Sequence, residues 1–319
     1  MIASLCSPNF NLVYYTKTKG KYNIFGYKFV ENNKNNIELI INGKRDEIKY
    51  STELEEGDNN ITLIIKDKIT HFEYFFSECK SLKDITELKY LDVSEATSFE
   101  FMFNRCIILS DIKALENWNV INCNKFNNMF FKCFSLTDLK PLENWNVSKG
   151  NNFEDMFVDC VLIKDLKPLE NWNVSNGDNF GGMFRGCQSL TNLNPLKNWN
   201  ISNGNHFGGM FMGCQSLTDL KSLENWNVSN GNHFGGMFTE CQSLTNLNPL
   251  ENWNVSNGNS FGGMFSKCTS LTDLKPLENW NVSNGNNFMY VFSECNSLTD
   301  LDPLKNWNVS NGNNFESMF

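Results

Sequence analysis

Eight tryptophans stand at positions 118, 145, 172, 199, 226, 253, 280 and 307, each 27 residues after the last, and the chain holds no others. A spacing that strict requires one structural unit repeated in tandem. A unit so short cannot bury its apolar side chains alone, so neighbouring copies must stack and share one continuous core. Other columns keep the same period: an opening phenylalanine from Phe72 to Phe315, a second from Phe76 to Phe319, and a cysteine from Cys79 to Cys295. Counted from the opening phenylalanine, nine full copies fill residues 72–314, followed by the stub Phe315 to Phe319.

Within a copy the apolar residues change period. Phe153, Met156, Phe157 and Cys160 fall at i, i+3, i+4 and i+7, which predicts one stripe of a short helix, with Asn151 or Asn152 as its N-cap. Ile163, Leu166 and Leu169 follow three apart, then Trp172 and Val174 two apart. This stretch predicts a short strand that bends at Pro168. Asn176-Gly177 predicts a turn in which glycine takes up positive φ. The expected fold is α/β: a curved solenoid of 27-residue coils, each a short parallel strand plus a short helix.

The strings NWNVSNGNNF (279–288) and MFxxCxSLTxLxxL (Met210 to Leu223) resemble the BspA-like leucine-rich-repeat proteins. That group includes the repeat of unknown function of Mycoplasma surface lipoproteins, with its NWDVSNVTNM-type signature. The resemblance covers about three quarters of the chain. It departs at two places: asparagine replaces the usual aspartate after tryptophan, and Asn-Gly-Asn-Asn replaces Asn-Val-Thr-Asn. It implies a solenoid used for adhesion or protein contact at a surface, with no catalytic residues to carry over.

Residues 1–71 break the period. Ile37 to Ile41 and Ile48 to Tyr50 flank the hairpin signal Asn42-Gly43, Ile61 to Ile65 reads as a third strand, and Tyr27 to Asn32 as a short helix. This predicts a small N-terminal α+β cap over residues 1–71, ahead of the solenoid at 72–319, since a stacked array needs its open face covered. The first copy fits a cap junction: Leu91 replaces tryptophan and Ala96 replaces glycine. At the other end the chain stops at Ser317-Met318-Phe319, which reads as a truncated frame, a frayed copy or an end that pairs with another molecule. Met1 to Asn11 lacks the basic start and apolar core of a secretory signal, and Cys6 follows a poor lipoprotein cleavage sequence. With no apolar run of membrane-spanning length, the default expectation is a cytoplasmic protein with no membrane span, set against the surface location that the resemblance implies. The net charge of −9 is spread along the chain, and lysine and arginine form no stripe, so nucleic acid is not the expected partner.

The repeated polar groups have structural readings. The cysteines show no CxxC pairing, so they are expected to be reduced, buried spacers, with no metal or cofactor bound. Asn-Val/Ile-Ser recurs once per copy from Asn146 to Asn308 and matches a glycosylation acceptor. Its expected role is an asparagine ladder in which Asn144, Asn146 and their counterparts bond backbone groups at the turn. His206 and His233 share a column and are expected to cap or face solvent. Gly181-Gly182 lacks the lysine and flanking elements of a phosphate loop. With no cluster of titratable groups around a nucleophile, an enzyme is not expected.

One strip varies its polar chemistry. Either side of the leucine column stand Asp138 and Lys140, Asp165 and Lys167, Asn192 and Asn194, and Asp219 and Lys221. The strip continues with Asn246 and Asn248, Asp273 and Lys275, and Asp300 and Asp302. If the leucines lie in a strand, these residues point outward, either as a solvated surface with cross-strand ion pairs or as a recognition face. The expected function is a protein-binding repeat scaffold working through this face. The alternative is a structural or adhesive component that self-associates through its last coil.

Overall fold

The segment expected to be helical is a run of turns. The computed structural model describes residues 8–319, so Cys6 and most of the segment read for a signal lie outside the described residues. Within Phe153–Cys160, the N–H groups of Met156 and Cys160 reach back three residues, to the carbonyls of Phe153 and Phe157, at 3.3 and 3.1 Å. Those of Phe153, Asp155, Phe157 and Asp159 donate to the next coil, to the carbonyls of Asn179, Gly181, Met183 and Arg185, at 2.7–2.9 Å. An α-helix would send each N–H to the fourth residue back. Here alternate amides join coil to coil.

The apolar stripe survives because two successive four-residue turns also put their first and fourth side chains on one side. Phe153, Met156, Phe157 and Cys160 are all fully buried. The third residue of each turn must be left-handed: φ is 55° at Asp155 and 57° at Asp159. In the central copies glycine takes these places, with φ of 61° at Gly182 and 74° at Gly186, where no Cβ opposes it.

The leucine stretch is not a strand either. It closes into a 3₁₀ turn at Lys140–Leu142, Lys167–Leu169, Asn194–Leu196, Lys221–Leu223, Asn248–Leu250 and Lys275–Leu277. Proline suits the middle of that turn, at Pro141, Pro168, Pro195, Pro249 and Pro276, because its fixed φ fits and no N–H is lost. Strand-like pairing between copies is confined to one residue per coil, in parallel bridges from Ser98 through Lys125 and Asn152 to Asn314. Gly177 does not serve a positive φ. A Cβ there would stand 2.3 Å from Cζ of Phe180, so its column is glycine because a buried ring fills the space.

Three side-chain columns tie each coil to the one before. Every indole N–H donates to a leucine carbonyl 30 residues earlier, as Trp226 does to Leu196 at 3.0 Å. Cysteine thiols do the same to phenylalanine carbonyls, as Cys160 does to Phe130 at 3.2 Å. Asn176 Nδ2 donates to the Ser148 carbonyl at 2.7 Å, and its counterparts repeat this as far as Asn311. Inside, Phe130 stacks on Phe157 with centroids 5.6 Å apart and planes 4° from parallel, and both phenylalanine columns continue so. The result is one unbroken core from the N-terminal sheet to the last coils.

The N-terminal region comprises β1 (Asn9–Thr16), β2 (Gly20–Asn23), α1 (Tyr27–Asn33), β3 (Ile37–Ile41), β4 (Lys44–Glu47), β5 (Ser51–Leu54) and β6 (Gly57–Ile65). The hairpin forms at Asn42-Gly43, both with positive φ, but its second arm is β4 rather than Ile48 to Tyr50. The five-stranded sheet has the order β4-β3-β6-β1-β7, and β7 (Leu82–Asp84) belongs to the first copy. There alone the leucine stretch is a strand, because the edge of β1 offers it a ladder. α1 seats Phe29 against Phe75 of that copy, 4.1 Å between centroids.

The seam is tightest at Gly26, whose N–H donates to the Phe75 carbonyl at 3.0 Å. A Cβ at Gly26 would lie 1.8 Å from the Tyr74 carbonyl oxygen. Gly26→Ala is expected to lower the stability of this end by about 2–3 kcal/mol in urea unfolding, through forced backbone movement. Gly20→Ala, whose Cβ would meet only a ring carbon at 3.6 Å, is the control and should change it by under about 1 kcal/mol.

Candidate interaction surface

All fourteen residues of the polar strip are exposed, and the leucines between them, from Leu139 to Leu274, are buried. They therefore share one exposed strip, although no strand carries it. Its acids and amides have a local task. Oδ1 of Asp138, Asp165, Asp219 and Asp273 each accepts the N–H of the lysine two residues on, at 2.8 Å. Asn192, Asn246 and Asp300 do the same for Asn194, Asn248 and Asp302 at 3.2, 2.7 and 2.9 Å. Each is an Asx turn that starts the 3₁₀ turn after it.

Among the described residues, the charges on the strip do not form the ion pairs between coils that the solvated reading allows. Lys140 pairs with Glu143 and Lys167 with Glu170, each inside its own coil. The glutamate thereby balances the lysine and leaves the aspartate as the excess charge. Shallow grooves run between neighbouring 3₁₀ turns. One of about 510 Å³ is lined by Asp111, Lys113, Glu116, Asp138 and Lys140.

The cross-coil ion pairs lie on another face, made by the run of turns, which the sequence reading did not identify. Glu78 meets Arg105 at 3.3 Å, Asp155 meets Arg185 at 3.1 Å and Glu240 meets Lys267 at 3.1 Å. Burial pushes the Asp155 carboxyl above its ordinary range, and the Arg185 guanidinium opposes this. Between these pairs the face is bare backbone at Gly181-Gly182, Gly208-Gly209, Gly235-Gly236 and Gly262-Gly263. Writing the copies in columns 27 residues wide puts Glu78 beside Arg105 and Glu240 beside Lys267, whereas Arg185 stands three columns from Asp155. That was the available signal.

The remaining polar columns fall as follows. The ten described cysteines are free and buried. Burial raises the thiol of Cys214 well above its usual value and that of Cys241 to about 12. In a Cys6→Ser background, a thiol reagent at pH 8 should therefore label none of them until denaturant is added, and stoichiometric labelling of the native chain would contradict this placement. Asn146 accepts the Ser148 N–H of its own coil at 3.1 Å, and the coil-to-coil rungs belong to Asn176 and its counterparts. Asn144 makes no side-chain bond among the described residues, so the expected ladder runs through a different column. His206 and His233 are exposed neighbours. Among the described residues no group of three or more histidine, cysteine, aspartate or glutamate side chains is placed to hold a metal ion. No described helix is long and apolar enough to cross a membrane.

A family model described as Mycoplasma protein of unknown function, DUF285, matches residues 49–166, 139–247 and 218–319. No curated protein and no solved structure matches the chain.

Proposed function

The chain belongs to the Mycoplasma protein family of unknown function, DUF285, and from that premise we propose that it is a non-enzymatic scaffold that binds a protein partner through the polar strip. The observation that carries this reading is the Asx turn repeated along the strip, from Asp138 to Asp300. It fixes the aspartates on a backbone that is already ordered, so little conformational entropy is lost on contact. Where lysine is balanced by glutamate within the coil, the excess charge presented is negative, and the complementary partner surface is basic. Residues 1–71 act in this reading as the cap that ends the stack. The finer kinship, to BspA-like leucine-rich repeats, rests on the strings at 279–288 and Met210 to Leu223.

The test follows from the chain's own variation. Asn192 and Asn246 make the same turn without charge. Combining Asp138→Asn, Asp165→Asn, Asp219→Asn and Asp273→Asn should leave the melting temperature unchanged and weaken capture of the partner by about tenfold or more. A partner set that the fourfold variant captures unchanged would remove the strip from consideration.

A further inference from the structure

His206 and His233 occupy the column before the opening phenylalanine, in consecutive copies. Elsewhere that column is His71, Ser98, Lys125, Asn152, Asn179, Ser260, Asn287 and Asn314, and from Ser98 on it carries the parallel bridges between coils. Neighbouring side chains therefore leave the backbone in register and in the same direction. Ser98, Asn152, Asn179, Asn287 and Asn314 use their side-chain oxygen to accept the N–H two residues on. Among the described residues neither imidazole accepts the N–H two residues on, so that task does not account for them.

Their ring centroids are 6.1 Å apart, with planes inclined by 34°. The glycine track is what gives them room. A Cβ at Gly208 would stand 2.5 Å from His233 Nδ1, and one at Gly235 would stand 3.2 Å from its Cε1. Glu100 and Glu154 hold the corresponding place in other copies, where a side chain fills that space. The bare backbone beside the rings also leaves solvent access to both.

We propose that His206 and His233 form a two-imidazole site for a divalent transition-metal ion such as Ni²⁺, Zn²⁺ or Cu²⁺, with water in the remaining positions. Imidazole nitrogen suits these ions, at about 2.0–2.1 Å for zinc. A small rotation of two exposed side chains brings one nitrogen of each ring to a shared ion. Two protein ligands make a modest site, and it is independent of the polar strip.

The probe is Ni²⁺ alone, titrated calorimetrically into untagged full-length protein at pH 7.5. One equivalent is expected to bind. His206→Asn or His233→Asn should weaken binding by about tenfold or more, since a metal held by two ligands loses half its protein donors. Both variants install the residue found at Asn179 and Asn287, so folding is retained and is checked by circular dichroism. His71→Asn should leave the titration as it was. Absence of Ni²⁺ binding at millimolar concentration, or binding that the double variant His206→Asn, His233→Asn leaves intact, overturns the proposal.

Discussion

Trp226→Ala is expected to cost the array roughly 3–5 kcal/mol, the range for removing a large buried aromatic. The indole is 4% exposed and lies 6.4 Å from the Phe211 ring. Its Nε1 donates to Leu196 at 3.0 Å, but that carbonyl also accepts the Trp199 N–H at 3.0 Å. The acceptor is therefore not orphaned, and most of the loss is the cavity. Trp226→Phe keeps much of the ring and removes the indole donor, so it should cost less, about 1–2 kcal/mol. Because each coil touches only its neighbours, the damage stays local. Hydrogen exchange should quicken in the copies flanking Trp226 while the N-terminal sheet keeps its protection. Urea unfolding followed by circular dichroism gives the magnitude. A loss under about 1 kcal/mol would mean that the tryptophan column does not hold the stack together.

The contrast between what was legible in the sequence and what was not follows from the physics of the period. Which residues are inside could be read directly, because burial of Phe153, Met156, Phe157, Cys160, Leu166 and Trp172 needs only that one side faces the neighbours. The backbone path could not, since i, i+3, i+4, i+7 describes a helix and two consecutive turns equally well. Two adjacent glycines at Gly181-Gly182 and Gly208-Gly209 argue against helix, at about 1 kcal/mol each. Ile163, Leu166 and Leu169 are three apart, which is the 3₁₀ period as much as an irregular strand. For the candidate strip, exposure of Asp138 to Asp302 could be anticipated, but the bond from each acid to the N–H two residues on could not. That bond depends on the chain turning at the leucine, where a strand would run straight. The turn at Asn176-Gly177 forms, with the Gly177 N–H on the Val174 carbonyl at 2.8 Å, but its glycine answers to the Phe180 ring and not to a positive φ. Local patterns report burial well and leave the hydrogen-bond partner open whenever that partner is one coil away.

The same stacking makes the protein sensitive to alkali. Burial raises the thiols of Cys79, Cys106, Cys160, Cys214 and Cys268 well above their usual value, those of Cys123 and Cys241 to about 12, and that of Cys295 to about 11. Cys133 and Cys187 move in the same direction for the same reason. A raised acid pKa in the fold means that above the unfolded thiol value, near 8.5, the native state holds more protons than the unfolded chain. Stability from this source is complete below that pH and falls as pH rises toward the folded values. The slope approaches about 1.4 kcal/mol per pH unit for each thiol. Among the described residues there are ten such thiols. Together they approach about 14 kcal/mol per unit, as much as the whole stability of an ordinary domain. Cooperative unfolding is expected within one to two units above the unfolded thiol pKa, roughly between pH 9 and 10.5. Replacing Cys187, Cys214 and Cys241 with alanine lowers stability at neutral pH but should reduce the alkaline slope by about 4 kcal/mol per unit. Circular dichroism against pH, combined with urea titrations at each pH, gives that slope. A chain that keeps its neutral-pH stability at pH 11 would show that the thiols ionise freely inside the stack, which the burial of every one of them forbids.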